Sequence, residues 1–372
     1  MSEQRSPQRK PRVAVVFGGR SAEHGVSCLT AGSVMRAIDH DRYDVVPVGV
    51  TTSGHWVLES EDSHRFEITA EALPEVDEKA DAVVLANAEL VVTEPGDVPR
   101  ALGEVDVVFP VLHGPYGEDG TIQGMLEMAG VRYVGAGVLA SAIGMDKHYM
   151  KVVFQAAGLP VTPYTVVTPE QWRHDRSACR ESAAALGYPL FVKPARAGSS
   201  FGISKVHDAD ALDDAVAEAQ RHDPKVIVEA FAAGAREIEC GVLQGLADSP
   251  AEASVVAEIK VGGEHEFYDF DAKYLPEQAT ELDVPADVDD ALSDRIRALA
   301  VRAFDAIGAE GLARVDFFVL PGGDVVINEI NTMPGFTPTS MFPRMWAATG
   351  LDYSALVDRL LTLAAQRPLG LR

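Results

Sequence analysis

LARVDFFVLPGGDVVINEINTMPGF, residues 312–336, holds two apolar runs joined by Pro321-Gly322-Gly323-Asp324. A turn signal between two such runs predicts an antiparallel hairpin. Setting Leu320 opposite Val325 places Phe318 against Ile327, Asp316 against Glu329 and Arg314 against Asn331. Alternate residues of a strand share a face, so this register puts Glu329 and Asn331 on the side of Val325 and Ile327. Two carboxylates directly opposite each other repel, and burying them costs more. The pattern predicts something positive between them.

A magnesium ion bridging substrate phosphates meets that need, because Mg²⁺ is commonly held by one or two carboxylates plus phosphate oxygens. Asn331 would add a neutral oxygen, and Arg314 is placed for a phosphate or a developing negative charge. The alternative is a surface salt-bridge net of Arg314, Asp316 and Glu329. The inference depends on the turn, since a slip of one residue sends the set to opposite faces.

Upstream, RVAVVFGG (12–19), DVVPVGVT, DVVFPVLHG and VRYVGAG read as buried strands, alternating with helical stretches at 26–38 and around EDGTIQGMLEMAG, which Gly130 ends. Alternation of this kind predicts a doubly wound parallel sheet, with ligands at the carboxyl ends of its strands. FGGRSAEHG (17–25) and LHGPYGEDG (112–120) fall there. Residues 59–100 are acidic and are expected to be irregular surface decoration. VKPARAGSSFG (192–202) sets Lys193 at a strand end before a Gly/Ser loop. Its backbone N–H groups and the hydroxyls of Ser199 and Ser200 can wrap phosphate oxygens, although a plain hairpin tip reads the same way. VGAGVLA (134–140) matches a dinucleotide fingerprint but lacks the following acid. It is read as a turn into the helix carrying Lys147.

The composition narrows the partners. A net charge of −24, from 32 basic and 56 acidic residues, opposes binding to nucleic acid and to acidic membrane surfaces. No apolar run approaches the roughly 18 residues of a membrane span. Cys28, Cys179 and Cys240 form no paired motif, which favours a reducing compartment. The basic start, MSEQRSPQRKPR, is expected to be a frayed arm on a cytoplasmic protein.

In this order and spacing, FGGRSAEHGVS, VLHGPYGEDGTIQGMLE, GMDK, FVKPARAGSSFG, EFYDFDAKY, GLARVDFF and NEINTMPGFTPTSMFP resemble the D-alanine–D-alanine ligase family of the ATP-grasp superfamily, from Arg12 to about residue 365. The resemblance implies an α/β and α+β protein of three domains: an N-terminal substrate-binding domain (1–136), then a two-domain ATP-grasp made of a central domain (137–232) and a C-terminal domain with the metal site (233–372). ATP would lie between the last two, with Mg²⁺ or Mn²⁺, as two ions, on Asp316, Glu329 and Asn331. Lys147, Lys193 and Lys273 would meet the phosphates. Glu229 and Phe231 would lie on the adenine side, Glu237 at the ribose, and Phe267 and Phe318 about the base.

The implied activity is ATP-dependent ligation of two D-alanines through an acyl phosphate, for peptidoglycan precursors. Arg314 and the Gly335 N–H would stabilise the tetrahedral oxyanion. Glu23 would hold the first substrate's ammonium with His113 beside it, and Ser199 and Tyr274 would partner Glu23. As a lone histidine at a strand end, His113 fits a structural role equally. Ser340 and Met341 would bind the second substrate's carboxylate. The Ala272-Lys273-Tyr274 ending favours a dipeptide product over a D-lactate ester. Gly25 departs from the pattern, standing where many relatives carry a second acid. A homodimer is implied. The other readings are a related ligase using D-lactate or D-serine, a non-catalytic nucleotide-binding module, and a nicotinamide enzyme using GAGVLA.

Overall fold

The structure is a computed structural model describing residues 9–68, 73–93, 98–198, 201–247, 249–261 and 280–370. It divides into two compact units: residues 1–135 with 335–343 and 351–372, and residues 136–334 with 344–350.

The first unit is built on an eight-stranded sheet. In chain order its strands are β1 (Arg12–Gly18), β2 (Asp44–Val50), β3 (Trp56–Leu58), β4 (Ala82–Ala86), β5 (Glu89–Thr93), β6 (Arg100–Glu104), β7 (Val107–Pro110) and β8 (Arg132–Tyr133), in the spatial order β6-β5-β4-β3-β2-β1-β7-β8. β2, β1, β7 and β8 run parallel. Val13 to Phe17 are almost wholly buried, as strands covered on both faces must be. The other half is antiparallel, so the sheet is mixed rather than parallel throughout.

Residues 59–100 are therefore not all irregular: β4 and β5 lie within them and extend the sheet. Their alternation is real, with Val83, Leu90 and Val92 entering the core. The turn between them is Asn87-Ala88, both at positive φ, the conformation a tight hairpin demands. Alanine in place of the usual glycine hides that signal.

The chain returns to this unit at its end. Helix Tyr353–Gln366 is followed by Arg367, whose Nη1 donates to the Tyr133 and Gly135 carbonyls at 3.0 and 2.7 Å. The Arg367 carbonyl accepts from Arg132 Nε at 2.8 Å.

The second unit carries two antiparallel sheets. One comprises β9 (Tyr164–Val167), β10 (Leu190–Pro194), β11 (Ser204–Val206) and β12 (Val226–Ala230), ordered β11-β10-β12-β9. Leu190, Val192, Val226 and Val228 pack with Trp172, Val216 and Ala219 of the covering helices. The intervening residues, Lys193 and Glu229 among them, leave by the opposite face. Gly-Ala-Gly at 135–137 leads into helix Val138–Met145, and Lys147 opens the next helix, Lys147–Ala156. Lys147 is thus not on the helix that the glycines enter.

The other sheet comprises β13 (Arg236–Leu243), β14 (Glu252–Val261), β15 (Thr280–Asp283), β16 (Leu312–Val319) and β17 (Val325–Asn331), ordered β15-β14-β13-β16-β17. Helix Asp290–Ala306 covers one face with Ile296, Ala300 and Phe304.

The β16–β17 hairpin corrects the expected register in part. Arg314 faces Asn331 and Asp316 faces Glu329, but Phe317 faces Ile327, Phe318 faces Val326 and Val319 faces Val325. Gly323 sits at φ 85 and Leu320 N–H donates to the Asp324 carbonyl at 2.8 Å, so the turn closes one residue tighter than expected. A bulge at Asn328 then restores the register at the acids. Because the bulge also reverses the pleat, Val325 and Ile327 enter the core with Phe317, Val319 and Ile330. Glu329 and Asn331 do not share their face.

Candidate active site

On the polar face of the five-stranded sheet, β13 contributes Glu237 and Glu239, β16 contributes Arg314, Asp316 and Phe318, and β17 contributes Glu329 and Asn331. Glu239 faces Asp316 and Glu237 faces Phe318 across β13 and β16. Arg314 grips Asp316 with two bonds of 2.7 Å, Nε to Oδ1 and Nη2 to Oδ2. Its Nε also lies 3.2 Å from Glu239 Oε1. Asn331 Nδ2 donates to Asp316 Oδ2 at 3.0 Å. Lys147 reaches in from its helix, with Nζ 3.0 Å from Glu329 Oε2. Its N–H donates to the Ala195 carbonyl and its ammonium to the Ala197 carbonyl at 3.1 Å, which seats the helix start beside the loop after β10.

The opposed carboxylates are each partnered here, Asp316 by Arg314 and the Asn331 amide and Glu329 by Lys147. This is the ion-pair net weighed as the alternative, but it is not at the surface: the Asp316 side chain is 13% exposed. Burial alone would lower the Arg314 pKa, yet Asp316 and Glu239 raise it well above its ordinary value. Burial acts likewise on Lys147, and Glu329 chiefly reverses it, raising that pKa. Among the described residues no three His, Cys, Asp or Glu side chains converge in a metal-binding group. Two carboxylates, Asp316 and Glu329, and the amide oxygen of Asn331 are the hard oxygen donors that suit a divalent ion keeping water and phosphate as its other ligands.

The four-stranded sheet presents a second charged set. Lys193 Nζ donates to Glu229 Oε2 at 2.7 Å, and Lys151 Nζ lies 3.1 Å from Glu229 Oε1. Burial alone would raise the Glu229 carboxyl, but Lys151 and Lys193 outweigh it and pull it down to about 2. Phe231 packs edge-on to Phe191 at 5.6 Å, with the Lys205 ammonium 4.6 Å from its centroid.

In the first unit, Glu23 and His113 sit at the carboxyl ends of the adjacent strands β1 and β7, where parallel sheets place ligands. The turn at Gly114, next to His113, passes close to Glu23: a Cβ there would lie 2.8 Å from Glu23 Oε2, and φ is +72. Glu118 Oε1 accepts from Gly114 N–H at 2.7 Å and lies 3.9 Å from His113 Nδ1. Ser340 Oγ accepts from Thr337 N–H at 3.1 Å. Gly335 is outside the left-handed region, but a Cβ on it would come within 3.3 Å of Ser340 Oγ. Met341 opens helix Met341–Thr349 and is buried. Ser199, Phe267, Lys273 and Tyr274 lie outside the described residues.

The glycine that departs from the family pattern has a packing reason. A Cβ at Gly25 would lie 2.6 Å from the Leu73 Cβ, because the 73–76 segment crosses the first turn of helix His24–Ala37. His24 ties that segment down: its Nδ1 donates to the Gly19 carbonyl at 2.7 Å and its Nε2 accepts from Val76 N–H at 3.2 Å. Gly25→Glu is expected to cost about 1–3 kcal/mol by overpacking and to lower Tm by several degrees. An unchanged melt would show that the segment yields.

Two residues of these sets escaped the sequence reading. Glu239 lies two positions after Glu237, hence on the same strand face, and Lys151 lies four after Lys147, hence on the same helix face. Both spacings were there to be read.

Known proteins share this fold. The VanG D-Ala:D-Ser ligase of Enterococcus faecalis superposes with a TM-score of 0.82 at 36% identity, covering 96% of this chain and 100% of that one. The D-alanine-D-alanine ligase of Coxiella burnetii gives a TM-score of 0.79 at 32% identity over 96% of this chain and 94% of that one. The three sheets are those of an ATP-grasp ligase. In sequence, the D-alanine–D-alanine ligase of an Arthrobacter species is 59% identical over 368 residues, 98% of this chain and 96% of its own, and that of Streptomyces avermitilis is 58% identical over 378 residues, 98% and 97% of the two chains. Residues 12–136 match the family described as D-ala D-ala ligase N-terminus and residues 153–362 that described as D-ala D-ala ligase C-terminus. The chain belongs to the D-alanine–D-alanine ligase family.

Proposed function

We infer that this chain joins two D-alanines to D-alanyl-D-alanine at the expense of ATP, supplying a peptidoglycan precursor. The observation that carries this is identity of 54–59% over nearly the whole length with ligases of that name. The γ-phosphoryl group passes to the carboxylate of one D-alanine, giving an acyl phosphate and ADP. The amine of the second D-alanine attacks that carbonyl, and phosphate leaves as the amide forms.

Phosphoryl transfer is mainly positioning and charge neutralisation, and the residues are assigned accordingly. Lys147, Lys193 and Lys273 hold phosphate oxygens. Glu229, Phe231, Glu237, Phe267 and Phe318 line the nucleoside. Asp316, Glu329 and Asn331 would hold Mg²⁺ or Mn²⁺, as two ions, which would neutralise phosphate charge. Arg314 and the Gly335 N–H face the oxyanion of the second step. Glu23 takes the first substrate's ammonium with His113; Ser199 and Tyr274 are assigned as partners of Glu23, and Ser340 and Met341 take the second substrate's carboxylate. The nucleotide halves are assigned to residues 137–232 and 233–372, preceded in the sequence by a substrate domain of 1–136. We assign a cytoplasmic homodimer; among the described residues no helix is long and apolar enough to cross a membrane.

The similarity to a D-Ala:D-Ser ligase supports one second reading, in which D-serine is the second substrate. ADP release is measured with D-alanine alone, with D-alanine plus D-serine or D-lactate, and with L-alanine, identifying products by mass. Turnover of D-alanine alone to the dipeptide, with no response to L-alanine, is expected. Turnover only in the D-serine or D-lactate mixture would move the assignment to that product, and silence throughout would leave a nucleotide-binding module.

A further inference from the structure

Lys151 is a charge that none of these assignments uses. It lies one turn beyond Lys147 on the same helix and is wholly buried. Its Nζ donates to Thr162 Oγ1 at 2.8 Å and lies 3.1 Å from Glu229 Oε1, with the Tyr164 ring centroid at 5.8 Å. Glu229 Oε2 accepts from Lys193 at 2.7 Å. Each carboxylate oxygen thus belongs to a different lysine, and the carboxylate cannot turn without breaking one pair.

A buried ion pair does not explain itself by stability, since well-packed apolar residues of equal volume commonly do as well or better. Burial lowers the Lys151 pKa, with Glu229 the main opposing influence, so the ammonium is kept at a cost. The charge count gives a reason. Two ammoniums share one carboxylate, so Glu229 neutralises neither fully. Lys193, on the strand leading into the Gly/Ser loop, retains positive charge; with Lys151 absent, Glu229 would pair with Lys193 alone among the described residues and would hold it back.

We propose that Lys151 is a positioning residue for the nucleotide: it pins the Glu229 carboxylate and, by sharing it, leaves the Lys193 ammonium free to engage phosphate. This rests on the assignment of Glu229 and Lys193 to ATP. Lys151 acts only through Glu229.

Steady-state kinetics on the full chain test it with Lys151→Met, Glu229→Gln, the double variant, and Lys193→Ala as the control on the assignment. Lys151→Met is expected to raise KM for ATP about tenfold, equivalent to about 1.4 kcal/mol, with kcat within about twofold and KM for D-alanine unchanged, since one charge-assisted bond is lost. The double variant should be no worse than the poorer single one. An unchanged KM for ATP in Lys151→Met, beside a raised one in Glu229→Gln, overturns the proposal, as do single losses that multiply in the double variant. An unchanged KM for ATP in both Glu229→Gln and Lys193→Ala overturns the nucleotide assignment instead. If Lys151→Met does not fold, Thr162→Val, which keeps every charge and frees one Nζ bond, is expected to raise KM for ATP by roughly threefold, and no rise overturns the proposal.

Discussion

Glu329→Gln is expected to reduce ADP formation by on the order of 10³-fold or more. The substitution keeps shape and removes one negative charge. That charge stands opposite Asp316 in register and 3.0 Å from the Lys147 ammonium, where cations and phosphates are proposed to meet. Divalent-ion stabilisation of a phosphoryl transition state is worth several kcal/mol, and about 1.4 kcal/mol is a factor of ten. The fold should survive, because Glu329 is on the polar face beyond the bulge at Asn328, away from the core of Phe317, Val325 and Ile327. ADP release at saturating substrate measures the loss, and Mn²⁺ titration followed by electron paramagnetic resonance measures the metal separately. Near-normal turnover with unchanged Mn²⁺ affinity would remove Glu329 from the metal set.

Arg314→Lys is expected to lower dipeptide formation by about 10²–10³-fold, the usual consequence of deleting one donor to an oxyanion. Lysine keeps the charge but cannot reproduce the planar fork that here spans both oxygens of Asp316 and reaches Glu239. The useful readout is the step that fails. If Arg314 serves the tetrahedral intermediate, exchange of the β–γ bridging oxygen of ATP, which reports acyl-phosphate formation, should persist while dipeptide formation falls. Equal loss of both would assign Arg314 to holding Asp316 instead. Loss of the Arg314 Nε contact with the buried Glu239 predicts that the variant melts lower as well.

The hairpin shows how far the sequence could be read. The facing of Asp316 and Glu329 was legible because a turn signal and two strands suffice to define it. The route was not, because a tighter turn at Gly323 and a bulge at Asn328 cancel, and neither leaves a mark in an apolar/polar pattern. The cancellation preserved the pairing while reversing which apolar residues lie beneath it. Strands β4 and β5 were missed for a related reason: Asn87-Ala88 makes the turn without a glycine, and the acidic residues around them obscure a period-two pattern. Lys151 and Glu239 were visible as spacings but carried no chemistry until their partners were placed, because what they touch comes from other elements. Arg367 lies beyond any motif, and only packing shows that it holds β8.

The return of the chain end to the first unit bears on how this protein is made. Phe336 packs against Phe109 with ring centroids 6.0 Å apart, Asp358 pairs with Arg42, and Arg367 bonds to the Tyr133 and Gly135 carbonyls. Translation delivers β1 to β8 early and these partners last. The sheets of the second unit have left the ribosome, with all their strands, while the first unit still lacks its final helix. A nascent chain thus carries an unfinished first unit throughout the synthesis of the second, and one that stopped after β17 would leave the eight-stranded sheet without helix Tyr353–Gln366. The unit whose strands precede β9 is completed only after β17 has been made.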